Sequence, residues 1–274
     1  MTSVVLIGLG RMGAALITGW TTAGVTPLYF IDRKAASRSG AIELASMADV
    51  ADLPRPLVVV LAVKPGAGPE VLAELAPWLR AKDLVISVMA GVSLETLRRF
   101  AGEDVDVVRA MPNIAFAMGR SATAAVADPG VSTDNLAACD RLLGGGGGLT
   151  WLSTEQALTA ATAISGSGLA YVFLFAEHLA RAGQDLGLCR SSAMGLARDV
   201  LAGAGAMAAE GEALAAMRDR ITSPGGTTAA ALAVFERDDN LRRLVVDAAH
   251  AAARRSAELS ADTVLATRRP SPCP

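Results

Sequence analysis

Two patterns of apolar positions divide the chain. Up to residue 153, short unbroken apolar runs alternate with stretches of helical spacing. The runs are "VVLIG" (4–8), "LYFID" (28–32), "LVVVLAV" (57–63), "DLVISVM" (83–89) and "VDVVRAM" (105–111). Runs with no polar alternation suit strands buried on both faces of a parallel sheet. Between them "AALITGW", "GPEVLAELAPWL" and "SLETLRRF" read as helices, the last begun by Ser93. Strands alternating with helices predict an α/β, doubly wound, mostly parallel sheet. A further strand "SATAAVA", a helix at "TDNLAACDRLL" and a strand "LTWL" complete this half. The five glycines Gly144 to Gly148 read as a flexible turn before "LTWL".

From residue 154 the strand signals stop. Helical patterns cover 154–164, 169–186, 191–209, 214–219, 227–237 and 241–259. The last carries apolar residues at 241, 244, 245, 248, 249 and 252, one helix face. Domains are therefore expected at 1–153 and 154–262, the second all-α. The Pro-rich end, 263–274, is expected to be disordered. These helices are rich in small residues, as in "LAGAGAMAA", and offer little bulk for a core of their own. A second chain is expected to complete them. Residues 157–176 carry no charge and approach the length of a membrane span. Ser165-Gly166-Ser167-Gly168 interrupts them, which favours two buried helical pieces of a soluble protein.

Composition narrows the function classes. Of 274 residues, 52% are hydrophobic and 4% aromatic, which excludes a disordered or fibrous chain. There are 25 basic and 27 acidic residues, so no basic excess exists to hold nucleic acid or an anionic membrane. Cys139, Cys189 and Cys273 lie far apart, and His178 and His250 are the only histidines. No metal cluster is expected, and a reducing cytoplasmic setting suits these thiols. The N-terminus lacks a basic region ahead of its apolar run and does not read as a signal peptide.

The first apolar run leads straight into "GLGRMG", with Gly8, Gly10 and Gly13 at GxGxxG spacing. A helix, a strand and Asp32 follow, Asp32 about 20 residues after the glycines. In that context the glycines allow a tight turn and close approach of a pyrophosphate to a helix N-terminus. Gly8, Leu9, Gly10, Arg11, Met12 and Gly13 are thus candidate dinucleotide-binding residues. Ligands of such sheets lie beyond the C-terminal strand ends, here "AVKPG", "MAGV" and "RAMPN". Ala62, Val63, Lys64, Pro65, Ala90, Gly91, Val92, Pro112 and Asn113 belong beside the cofactor on that rule. Asp32 suits a ribose 2′-hydroxyl, favouring NADH, whereas Arg33 and Lys34 suit a 2′-phosphate, favouring NADPH. Both readings stand.

In the helical half, "ITSPGGTT" (221–228) precedes an alanine-rich helix. Taken alone it reads first as a simple turn with a Thr cap; the alternative is an anion site, in which bare glycines admit an anion to the free N–H groups.

Taken together, "IGLGRMGAALITG", "LAVKP", "MAGVSLETL", "RAMPN", "ISGSGLAYVF" and "ITSPGGTT" resemble the pyrroline-5-carboxylate reductase family, over residues 4 to about 259. That resemblance implies a Rossmann-type N-terminal domain and an all-α dimerisation domain. It implies NADPH or NADH as cofactor, with no metal, in reduction of 1-pyrroline-5-carboxylate to proline. It implies dimers, and larger rings built from them. By resemblance, Ser223, Gly225, Gly226, Thr227 and Thr228 hold the substrate carboxylate. The Thr228 hydroxyl lies near the ring nitrogen, and Glu155 lies near the substrate. Leu169 stands where the family usually has Pro, Thr159 where it usually has Asp, and "GLGRMG" where "GGGNM" is usual. Rival readings are a broader imine reductase, a β-hydroxyacid-dehydrogenase-like enzyme, and a non-catalytic dinucleotide sensor. The dehydrogenase would need a catalytic lysine in its second half, and residues 154–274 contain none. A sensor has no use for the substrate turn that this chain retains.

Overall fold

The computed structural model describes residues 2–33 and 40–268. Lys34 and the last six residues of the Pro-rich end lie outside them. The chain parts into two compact units, one of residues 1–166 with the chain from 252 onward, the other of residues 167–251.

The first unit is built on an eight-stranded sheet. Its strands are β1 (Ser3–Ile7), β2 (Leu28–Ile31), β3 (Ile42–Glu43), β4 (Leu57–Leu61), β5 (Leu84–Ser87), β6 (Asp106–Met111), β7 (Ser121–Ala127) and β8 (Gly147–Trp151). Their order is β3-β2-β1-β4-β5-β6-β7-β8, with β7 antiparallel to β6 and every other pairing parallel. In β1, Val5 and Ile7 enter one apolar cluster and Val4 and Leu6 the other. That is why the run shows no alternation: both faces are covered. Helices α1 (Arg11–Thr22), α2 (Gly68–Leu75), α3 (Leu94–Ala101), α4 (Thr133–Gly144) and α5 (Glu155–Ala161) belong to this unit. Leu72, Leu75, Leu94 and Leu97 pack on the face of Val5, and Leu16, Trp20, Leu142 and Leu143 on the face of Leu6.

The five glycines are not one flexible turn. Gly144 ends α4 and Gly147 opens β8 beside Ser121. A Cβ at Gly146 would enter the Phe116 ring, and one at Gly147 would strike the Ser121 backbone. Close packing, not looseness, requires glycine at both. The two-residue β3 is too short to leave a periodic trace.

Helix α5 packs with the sheet, and the two compact units divide after Gly166. Leu158 and Ala163 are buried, and Glu155 is paired with Arg109 of β6. A π-helical turn (Thr162–Gly166) ends this segment.

The second unit contains α6 (Gly168–Asp185), α7 (Arg190–Ala208), α8 (Leu214–Arg220), α9 (Thr227–Glu236) and the first turns of α10 (Asn240–Arg268). Helix α10 is helical beyond position 262, where disorder was expected to begin. The buried apolar residues described in this unit are Ala180, Ala193, Ala197 and Met217. The expectation of buried helical pieces is corrected here: Val172, Phe173, Leu174 and Phe175 are each about half exposed. Four consecutive residues point around most of a helix circumference. The helical segment Glu155–Asp185 is long and apolar enough to cross a membrane, and little of its apolar stretch is buried. Beside it an apolar cavity of about 380 Å³ opens between Phe175, Leu179, Phe235 and Leu244.

Candidate active site

At the C-terminal end of β1 the chain turns through Gly8 at φ +101°, a conformation side chains disfavour. A Cβ on Gly8 would also sit 2.9 Å from the Ala62 carbonyl. A Cβ on Gly13 would fall on the Gly8 carbonyl oxygen, so Gly13 lets α1 approach β1. Gly10 differs. Its φ is −65°, and nothing lies within 4 Å of an added Cβ. The protein's own packing does not require glycine there, and a ligand approaching the first turn of α1 would. Gly10 is the N-cap of α1, has no side chain to cap it, and the first turn holds no acidic residue. Its N-terminus therefore faces outward with the partial positive charge that suits a phosphate.

A cavity of about 550 Å³ adjoins this turn. It brings together Gly8, Gly10, Asp32, Arg33, Ala62, Val63 and Lys64. Ser46, Met47, Val71 and Glu74 also line it; they had not been singled out in the sequence. Ser46 begins a 3-10 turn with a reciprocal cap to Asp49, a signal readable in "SMAD". The Leu9 N–H donates to Asp32 Oδ2 at 2.5 Å, tying the glycine turn to the end of β2. Arg33 pairs with Glu70 at 3.2 Å and Glu74 at 3.9 Å while 72% exposed. Arg11 and Met12 occupy the first turn of α1, and Pro65 opens a 3-10 turn after Lys64.

The next two strand ends lie outside that cavity lining. Ala90, Gly91 and Val92 form the turn between β5 and α3, with Gly91 at φ +81°. Asn113 is buried beside Pro112. Its Nδ2 donates to the Ser165 carbonyl (3.0 Å) and its Oδ1 accepts from the Ala115 N–H (3.0 Å). Both ends of that side chain serve the protein's own backbone. Glu155 Oε1 accepts from Arg109 Nη1 (2.6 Å) and from the Leu94 N–H (2.9 Å).

In the helical unit, Ser223 to Gly226 make a turn closed by the Gly226 N–H donating to the Ser223 carbonyl (3.0 Å). Gly225 has φ +71°, and a Cβ on Gly226 would strike Ser223 Oγ. The N-cap of α9 is Gly226, not a threonine. The first intrahelical bond runs from the Ala230 N–H to the Gly226 carbonyl, which leaves the N–H groups of Thr227, Thr228 and Ala229 for an outside acceptor. Thr227 is exposed and Thr228 half-buried.

Among the described residues, three titrating groups elsewhere depart from their usual values. Burial pushes the Cys139 thiol up to about 12. Hydrogen bonds with Ser191 and Ser192 bring exposed Cys189 down to about 7. Burial raises Asp106, but hydrogen bonds from Ser132 and Asn135 outweigh it and leave that carboxyl below its usual range.

Comparison with known proteins gives these sites a context. Residues 155–259 match a family model described as pyrroline-5-carboxylate reductase dimerisation. Residues 3–91 match one described as NADP oxidoreductase, coenzyme F420-dependent. The chain is 37% identical to pyrroline-5-carboxylate reductase of Pseudomonas aeruginosa, over 94% of this chain and 96% of that one. The fold is similar to the pyrroline-5-carboxylate reductase of Coxiella burnetii, with a TM-score of 0.87 and 33% identity over 94% of this chain and 98% of that one. It is also similar to the Plasmodium falciparum pyrroline carboxylate reductase solved with NADP bound, with a TM-score of 0.80 and 27% identity over 94% and 98%. The exposed apolar helices fall in the matched dimerisation stretch, and together with these relatives this makes the protein a homo-oligomer acting on a small molecule. With identity above 30% along nearly the whole chain, and both glycine turns in place, the chain belongs to the pyrroline-5-carboxylate reductase family.

Proposed function

We propose that the chain carries out its family's reaction, NAD(P)H-dependent reduction of 1-pyrroline-5-carboxylate to proline, with the two glycine turns as its anion sites. The dinucleotide pyrophosphate is taken by the N–H groups at Gly10–Gly13, beside Asp32, Arg33, Ala62–Pro65 and the Ala90–Val92 turn. The match to an NADP oxidoreductase model over residues 3–91 supports this placement. The substrate carboxylate is taken by the turn at Ser223, Gly225 and Gly226 and by the N–H groups of Thr227 and Thr228. The observation that carries the reading is the α9 N-terminus, capped by a bare glycine and led by a tight turn.

A protonated cyclic imine is already electrophilic, and the bound nicotinamide supplies the hydride. What the protein contributes is orientation. Holding the carboxylate fixes where the imine carbon lies, and the Thr228 hydroxyl hydrogen-bonds the ring nitrogen as it becomes an amine. No metal takes part. The protein is a homodimer at least, closing into a larger ring. The exposed apolar residues of α6 are covered by a second copy, not by a membrane or nucleic acid.

The test compares 1-pyrroline with and without its carboxylate. Each charge-assisted hydrogen bond contributes about 1.5–3 kcal/mol, so two of them predict roughly 100-fold or more in kcat/KM in favour of the carboxylate form. Gly226→Val should abolish most of that preference while leaving NAD(P)H affinity near its original value. Equal rates on both imines in the unmodified protein would remove the anion site.

A further inference from the structure

Arg109 and Glu155 raise a question that the catalytic reading leaves open. Arg109 is 8% exposed on β6, between Val107 and Met111, whose side chains join an apolar cluster. Burying a guanidinium is costly, and well-packed apolar residues usually serve stability as well or better. Its Nη1 donates to Glu155 Oε1 at 2.6 Å. That same oxygen accepts the Leu94 N–H at 2.9 Å, across 61 residues of sequence.

The Leu94 N–H is the first of α3, a donor that a helix leaves without an internal partner. Another, the Thr96 N–H, goes to Ser93 Oγ at 3.1 Å. The start of α3 is thus held twice, once locally and once by a carboxylate that Arg109 holds in place. Immediately before it lies the Ala90–Val92 turn. On its other side a Cβ at Gly68 would lie 3.0 Å from Met89 Sδ and 3.6 Å from Val92 Cγ2, so the start of α2 packs closely there too. Gly91, at φ +81°, lets the chain reverse between these two anchors.

We propose that Arg109 and Glu155 are positioning residues for the cofactor, acting through Leu94 to fix the Ala90–Val92 turn. This rests on the assignment of that turn to the cofactor. It gives Glu155 a role different from the substrate contact implied by resemblance.

The test uses two double variants, so that no buried charge is left alone. Glu155→Leu with Arg109→Met removes the acceptor on the Leu94 N–H; Glu155→Gln with Arg109→Met restores it. NADPH dissociation constants are read from nicotinamide fluorescence, and steady-state constants are read with saturating cofactor. The Leu/Met variant should bind NADPH about tenfold more weakly, with the KM for the imine within about twofold of the original. The Gln/Met variant should recover most of that affinity. A lower melting temperature with unchanged NADPH affinity in the Leu/Met variant would mean a purely structural pair and overturn the proposal. A raised imine KM with unchanged NADPH affinity would return Glu155 to the substrate and overturn it as well. Failure of the unmodified protein to reduce the imine would refute the assigned reaction while leaving the affinity comparison standing.

Discussion

Gly10 and Gly13 belong to one motif, yet the structure assigns them different duties, and alanine at each separates these. At Gly10 an added methyl meets no protein atom within 4 Å, and φ of −65° suits any residue. Alanine is a poorer N-cap than glycine by about 0.5–1 kcal/mol. It recovers about 0.4–1 kcal/mol by restricting the unfolded chain. These cancel, so Gly10→Ala should melt within about 2 °C of the original. The methyl instead occupies the approach to the α1 N–H groups. Losing one charge-assisted hydrogen bond, about 1.5–3 kcal/mol, weakens NAD(P)H binding about 10- to 100-fold. At Gly13 the methyl would overlap the Gly8 carbonyl oxygen, so α1 must withdraw from β1. Overpacking of that kind costs about 1–3 kcal/mol, or roughly 3–10 °C in a chain of this size. The assay pairs thermal melting without ligand with titration of NAD(P)H fluorescence. Unchanged affinity in Gly10→Ala would refute the claim that this turn receives the pyrophosphate.

Thr228→Val keeps shape and loses the hydroxyl; kcat should fall about tenfold with little change in imine KM, and an unaltered kcat would remove Thr228 from the reaction. Phe173→Asp should shift light scattering toward the monomer. Covering the exposed half of a phenylalanine, about 100 Å², contributes roughly 2.5 kcal/mol per copy, which the charge forfeits. An unchanged mass would place the interface elsewhere. Cys189 should be alkylated by iodoacetamide with half-maximal rate near pH 7, because its thiol is lowered to about 7, as peptide mass analysis would show. Cys139, buried and raised to about 12, should react only on unfolding; a Cys189 midpoint near 9 would contradict its hydrogen bonds to Ser191 and Ser192.

The parts legible in the sequence are those where a local rule has one physical cause. β1 reads as an unbroken apolar run because helices cover both faces of the sheet. The turn at GxGxxG is legible because backbone conformation at Gly8 and contact at Gly13 exclude side chains. The turn before α9 is visible because proline and two glycines admit little else. Other features depend on distant partners. The allegiance of α5 rests on Arg109, and that of the π-helical turn after it on Asn113, each more than 40 residues away in sequence. Ser46 and Met47 line the cavity beside the glycine turn from a short segment that has a cap signal but no periodicity. The apolar run of α6 looks buried in sequence, yet its residues Val172 to Phe175 are half exposed in the single chain. Helical spacing in 241–259 predicted α10, whereas its continuation to Arg268 passes through residues whose Pro-rich sequel suggested an earlier end.

The most direct measurement is loss of absorbance at the nicotinamide band with pyrroline-5-carboxylate, run in parallel with NADPH and NADH. The account predicts turnover with at least one cofactor that depends on the imine, and formation of one proline for each cofactor oxidised. The ratio between the cofactors then measures how Asp32 and Arg33 divide the preference. Consumption of neither cofactor by a folded, oligomeric protein that still binds dinucleotide would contradict the assignment of its reaction.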